Sequence, residues 1–188
     1  MSQRILIIMS GIPCSGKSFL TNLIIEKFTQ YFDVIKLERD EIFGRIISNN
    51  PGIGNNKKNR MIAEEMNQIY ERFNQTTNTI LIVDSCSGGD GIKEFIMQKA
   101  EKRTKTIVIN FIPKRIGDVI DMDFYLYRAS TREPHYVFPK VRDAQIKELE
   151  KCYSQWTHSY NCDKWQTIDL EFNWKIDDII EQLRLMVC

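Results

Sequence analysis

Gly11, Gly16, Lys17 and Ser18 have the residue types and the spacing that can hold a row of phosphates. They belong to Gly11-Ile12-Pro13-Cys14-Ser15-Gly16-Lys17-Ser18, which fits the pattern G-x-x-x-x-G-K-[ST] without a mismatch. Glycines at these two places let the backbone curl until successive N–H groups point inward and form an anion nest. A helix starting directly behind them adds unsatisfied amides and the positive end of its dipole. Residues 11–18 therefore read as a phosphate loop for a nucleoside triphosphate. Lys17 is expected to reach the β- and γ-phosphates, and the Ser18 hydroxyl to ligate Mg²⁺. Gly11, Cys14, Ser15 and Gly16 supply the rest of the cradle, and Phe19 can offer only its backbone N–H.

A bound nucleotide could serve a GTPase switch, an ATPase motor or a kinase. A GTPase should carry N-K-x-D for guanine, and the nearest string, Asn161-Cys162-Asp163-Lys164, has the wrong order. A motor would be larger. A small kinase needs an acid that activates the acceptor, an acid that organises the metal, and a cationic lid.

The chain has a candidate for each. Asp40 ends Leu37-Glu38-Arg39-Asp40, where it could accept the proton of an acceptor hydroxyl; its simpler role is the N-cap of a helix starting at Glu41. Asp84 ends the apolar run Ile80-Leu81-Ile82-Val83, as an acid of the Walker-B kind would, and could bind Mg²⁺ or orient the acceptor. Arg128 and Arg132, four residues apart, share one helical face and could converge on a phosphate from a lid over about residues 126–138. A lid of this kind also keeps water out.

The elements that must position these groups follow from periodicity. Continuous apolar runs predict strands over residues 4–9, 33–37, 79–84 and 106–112, and a weaker fifth over 166–170. Helical spacing predicts helices over 18–30, 57–75 and 174–186, and another over about 139–158. A short helix is expected near Asp40, one opening at Gly88–Gly91, and a long helical region after Pro113 to about Arg128. Strands alternating with helices mean an α/β fold, a five-stranded parallel sheet covered by helices on both faces. No repeat or linker marks a second unit, so residues 1–188 read as a single domain.

Composition narrows the classes further. With 43 % hydrophobic and 27 % charged residues the chain is of ordinary globular type, and its net charge of +1 excludes a polycation. A nucleic-acid partner would need a local basic patch over a short footprint. Lys57, Lys58 and Arg60, then Lys99, Lys102, Arg103 and Lys105, then Lys114 and Arg115 are the candidates, each also readable as a solvated face. Five cysteines without C-x-x-C pairing argue against a disulfide framework and a structural zinc site. With no apolar run long enough to cross a membrane, the expected setting is intracellular, cytoplasmic or nuclear, with no membrane partner. Trp156, Trp165 and Trp174 recur at an interval matching neither a helix face nor a strand face, and core packing is their expected use.

Together the motifs resemble the kinase domain of polynucleotide 5′-hydroxyl kinases and the kinase modules of RNA-repair and tRNA-splicing ligases. Gly11–Ser18 is similar to their loop, and Glu38-Arg39-Asp40 stands where that family has an Asn-Arg-Asp-like signature whose Asp is the general base. Arg128-x-x-x-Arg132 resembles their lid, followed by His135 and Phe138-Pro139. The resemblance implies transfer of the ATP γ-phosphate, with Mg²⁺, to the 5′-OH end of RNA or DNA. On this reading catalysis falls to Lys17, Asp40 and Arg132, and the acceptor side to Arg39, Asp40 and Asp84, with Arg45 added as the arginine nearest the position where the family is basic. Two positions depart from the family: Phe43 stands where a basic residue is usual, and Asp84-Ser85-Cys86-Ser87 replaces Asp-Thr/Asn-x-Asn. Similar loops occur in kinases of seryl-tRNA, of hydroxymethylated DNA bases and of small metabolites. They also occur in nucleotide-dependent accessory ATPases of tRNA modification.

Overall fold

Strand β1 (Arg4–Ser10) is buried at every residue after Arg4, because both of its faces are covered. That is the physical reason its sequence is continuously apolar rather than alternating. The computed structural model describes residues 3–85, 89–131, 138–159 and 163–187. After β1 come α1 (Lys17–Phe28), β2 (Asp33–Glu38), α2 (Arg39–Asn49), α3 (Asn55–Gln75), β3 (Thr79–Asp84), α4 (Asp90–Lys99) and β4 (Thr104–Phe111). A small hairpin, β5 (Arg115–Ile116) with β6 (Val119–Ile120), precedes α5 (Met122–Thr131), α6 (Arg142–Ser159), β7 (Thr167–Leu170) and α7 (Ile176–Val187).

The main sheet has the order β2-β3-β1-β4-β7 with every pairing parallel. The expected five-stranded α/β architecture is present. Strand alternation divides the core in two. Ile5, Ile7, Met9, Ile80, Ile82, Ile107 and Ile109 pack under Leu20, Ile24 and Phe28 of α1 and Leu183 of α7. Leu6, Ile8, Leu81, Val83 and Val108 face Tyr70 and Phe73 of α3 and Ile96 of α4. Each of the buried aliphatic side chains among them contributes roughly 2 kcal/mol. A third cluster, with Ile12, Tyr125, Leu126, Leu149 and Trp156, ties the phosphate loop to α5 and α6.

Two expectations change. The region after Pro113 is not one long helix: Gly117, at φ 61°, turns the hairpin, and α5 begins only at Met122. Asp121 starts that helix, its Oδ1 accepting from the Phe124 backbone N–H at 3.1 Å. Helix α2 begins at Arg39, so Asp40 lies inside its first turn and does not hold the N-cap position, which falls on Glu38. Elsewhere the differences are at element ends, with α6 starting at Arg142 and α7 at Ile176.

Candidate active site

Strand order reverses about β1, so the carboxyl ends of β1 and its neighbours form a crevice, where open α/β sheets hold ligands. A cavity of about 550 Å³ lies there, within the range of small-molecule sites. The phosphate loop forms one wall. Gly16 has φ 107° and Cys14 φ 63°, both left-handed conformations. A Cβ on Gly11 would stand 2.8 Å from Phe111 Cβ and 2.9 Å from Ser15 Oγ, so no side chain fits there. Helix α1 starts on Gly16 with no side-chain cap and no acid in its first turn, which leaves its positive dipole end uncompensated. Lys17 is buried, and its Nζ donates to the carbonyls of Gly11 at 3.1 Å and Ile12 at 2.8 Å. Cys14, Ser15, Gly16, Lys17, Ser18 and Phe19 all line the cavity.

The opposite wall comes from β2, α2 and β3. Glu38, Arg39, Asp40, Asp84 and Ser85 line it. Arg39 is exposed and Asp40 half-buried. Arg45 is not in this wall: it pairs with Glu65 of α3 instead. The carboxyl end of α2 has carried it away from the crevice. Glu38, which sequence reasoning passed over, stands in register beside Asp84 on the adjacent strand. Burial raises the Glu38 carboxyl above its ordinary range; the Asp84 charge adds to this, while Lys36 works against it. Burial also works against the Lys36 ammonium, but its bonds to Glu38 and Glu41 prevail and raise its pKa.

Arg128 also lines the cavity. Its Nη2 lies 3.8 Å from the point a Cβ on Gly16 would take, and its guanidinium sits 5.5 Å from the Phe124 ring centre. Phe124 is held edge-on by Phe172 at 4.8 Å, and Lys114 Nζ lies over both rings while pairing with Asp121 at 2.8 Å. Arg132 and His135 lie outside the described residues, as do Cys86, Cys162 and Cys188. Pro13, Ile92 of α4, Phe138 and, from α6, Glu148 also line the cavity, and no sequence pattern signals Glu148.

Of the tryptophans, Trp156 is core and Trp165 packs beside the second core. Trp174 stands against the loop, 6.2 Å from Phe19 and 6.3 Å from Phe111 between ring centres. Within the basic patches, Lys58 bonds Asn55, Lys99 bonds Asn67, Lys105 bonds the Met186 carbonyl and Arg60 pairs with Glu64.

The fit of a divalent cation can be tested on Asp84. It is 4 % exposed, and its Oδ2 is buried without a hydrogen-bond partner. A buried carboxylate oxygen in that condition is costly unless a cation meets it. No group of three or more His, Cys, Asp or Glu among the described residues could hold a metal by itself. Mg²⁺ does not need one, since one or two carboxylates with substrate phosphates suffice. Ser18 and Asp84 fit that pattern.

Among the described residues, no helix is long and apolar enough to cross a membrane. No curated protein sequence matches the chain. Solved structures share its fold at low identity. Shikimate kinase from Bacteroides thetaiotaomicron is 14 % identical with a TM-score of 0.52, over 97 % of this chain and 98 % of that one. A gluconokinase from Sinorhizobium meliloti 1021 is 12 % identical with a TM-score of 0.54, over 97 % and 90 %. Chaetomium thermophilum Kti12, solved in complex with ADP-AlF3, is 12 % identical with a TM-score of 0.61, over 97 % and 99 %. The fold is that of P-loop kinases. The family model described as "Chromatin associated protein KTI12" matches residues 5–181, nearly the whole of the folded chain, and the protein belongs to that family.

Proposed function

We propose that the protein binds Mg·ATP and cleaves its terminal phosphoryl bond, working as a nucleotide-dependent accessory ATPase of tRNA modification. The observation that carries this reading is the joining of Lys17, Ser18, Asp40, Asp84 and Arg128 around one cavity in a KTI12-family chain. The loop amides and the α1 dipole receive the phosphates. Lys17 and Arg128 balance charge on the transferring phosphoryl group, with Arg132 as the second lid cation. Asp40 orients the attacking oxygen and takes its proton. Ser18 and Asp84 would hold Mg²⁺, which supplies charge neutralisation across the phosphates. Phosphate release from ATP, measured with and without added tRNA, tests the reading. Release equal in wild type and Lys17→Ala would remove it.

A second reading, phosphoryl transfer to an alcohol, is favoured by one observation: Asp40 is half-buried and lines the same cavity as the phosphate loop. The 5′-OH of RNA or DNA is its leading acceptor, with Arg39 at the cavity wall to meet a nucleic-acid phosphate. Seryl-tRNA, a hydroxymethylated base or a small metabolite are the other acceptors of that chemistry. Labelled γ-phosphate recovered on a 5′-OH oligonucleotide supports transfer. Label recovered only as inorganic phosphate supports the ATPase.

A further inference from the structure

We propose that Glu38 is a second carboxylate of the divalent-cation site, guarded by Lys36 until a cation takes its place. The inference deepens, and rests on, the nucleotide reading of the cavity. Glu38 and Asp84 are register partners on neighbouring parallel strands, so their side chains leave the sheet on the same face about 5 Å apart at the backbone. Asp84 also pairs with Met9, whose side chain packs in the core beneath α1. Both carboxylates therefore stand at the carboxyl edge of the sheet, and with Ser18 of the first turn of α1 they line the same cavity.

The structural alternative for Glu38 is capping of α2. It occupies the N-cap position but makes no side-chain cap bond. Its carboxylate is instead turned to Lys36, whose Nζ lies 2.5 Å from Glu38 and 2.8 Å from Glu41. The Glu38 side chain is 10 % exposed and Glu41 63 %, so Lys36 bridges a buried carboxylate and a solvated one. A cation that took over Glu38 would leave Lys36 still paired with Glu41. Asp84 Oδ2, buried and without a hydrogen-bond partner, is the independent sign that this edge awaits positive charge. Two carboxylates plus phosphate oxygens are a common Mg²⁺ ligand set.

The test measures mant-ADP affinity by fluorescence in EDTA and again in Mn²⁺. Their ratio reports how strongly the metal is coupled to the nucleotide. In Glu38→Gln the ratio should fall about tenfold while the EDTA affinity holds, in line with the loss of a ligand-shell group. Lys36→Met removes the competing ammonium, so the ratio should rise. Thermal melts show that each variant is folded. A Glu38→Gln ratio equal to wild type, or a Lys36→Met ratio that falls, overturns the assignment. Absence of mant-ADP binding in both media would instead strike the nucleotide reading, which separates the two failures.

Discussion

The two walls of the cavity are built in opposite ways. The phosphate loop is continuous in sequence: its glycines, lysine and serine are bound to one another through the backbone, and the strand and helix on either side fix its direction. The facing wall draws Glu38, Arg39 and Asp40 from the β2–α2 junction and Asp84 and Ser85 from the end of β3. Those two segments are far apart in sequence. A locally encoded anion cradle tolerates little change, whereas a wall assembled from separate segments can alter its contents one residue at a time. Arg45, on the same helix as Asp40, stands outside that wall in an ion pair with Glu65.

Substitutions on both walls can sharpen or break this contrast. The largest effect is expected from Lys17→Ala, which should reduce ATP turnover by about 10³-fold, the scale of losing a preorganised charge donor. A fall of less than about tenfold would mean that the loop is not the reacting wall. Asp40→Asn should lower turnover by about 10²-fold with mant-ADP affinity retained. Weakened nucleotide binding in that variant would assign Asp40 to the cradle and merge the two walls.

Gly11→Ala forces a Cβ to within 2.8 Å of Phe111 Cβ, and should cost about 1–3 kcal/mol in denaturant unfolding as well as nucleotide affinity. Unchanged unfolding would show that β4 yields to the loop. Arg45→Ala should cost no more than about 1 kcal/mol, the worth of an exposed pair, and leave turnover as in wild type. A turnover defect there would return Arg45 to the acceptor wall.

Much of this was legible before any coordinates. The run from Ile80 to Val83 marks β3 because both faces of that strand are covered, and Asp84 at its end was readable as a site acid for the same reason. The hairpin at Arg115–Ile120 was not legible: two-residue strands are too short for periodicity to register, and only Gly117 hinted at a turn. The place of Glu38 beside Asp84 was not legible because it depends on which strand lies next to β2. Trp174 packs against the first core as expected, but its place beside Gly16 was not legible because it comes from the segment between β7 and α7.

The amino-acid order alone determined the phosphate loop and the buried strands. Steric freedom at glycine, helix initiation behind it and apolar run length are local properties that need no partner to operate. Sheet order, strand register and helix direction decided the rest: that Glu38 stands beside Asp84, that Arg128 overhangs Gly16, and that Arg45 faces α3. Those relations join residues far apart in the chain, so they come into being only when the two cores close on the sheet.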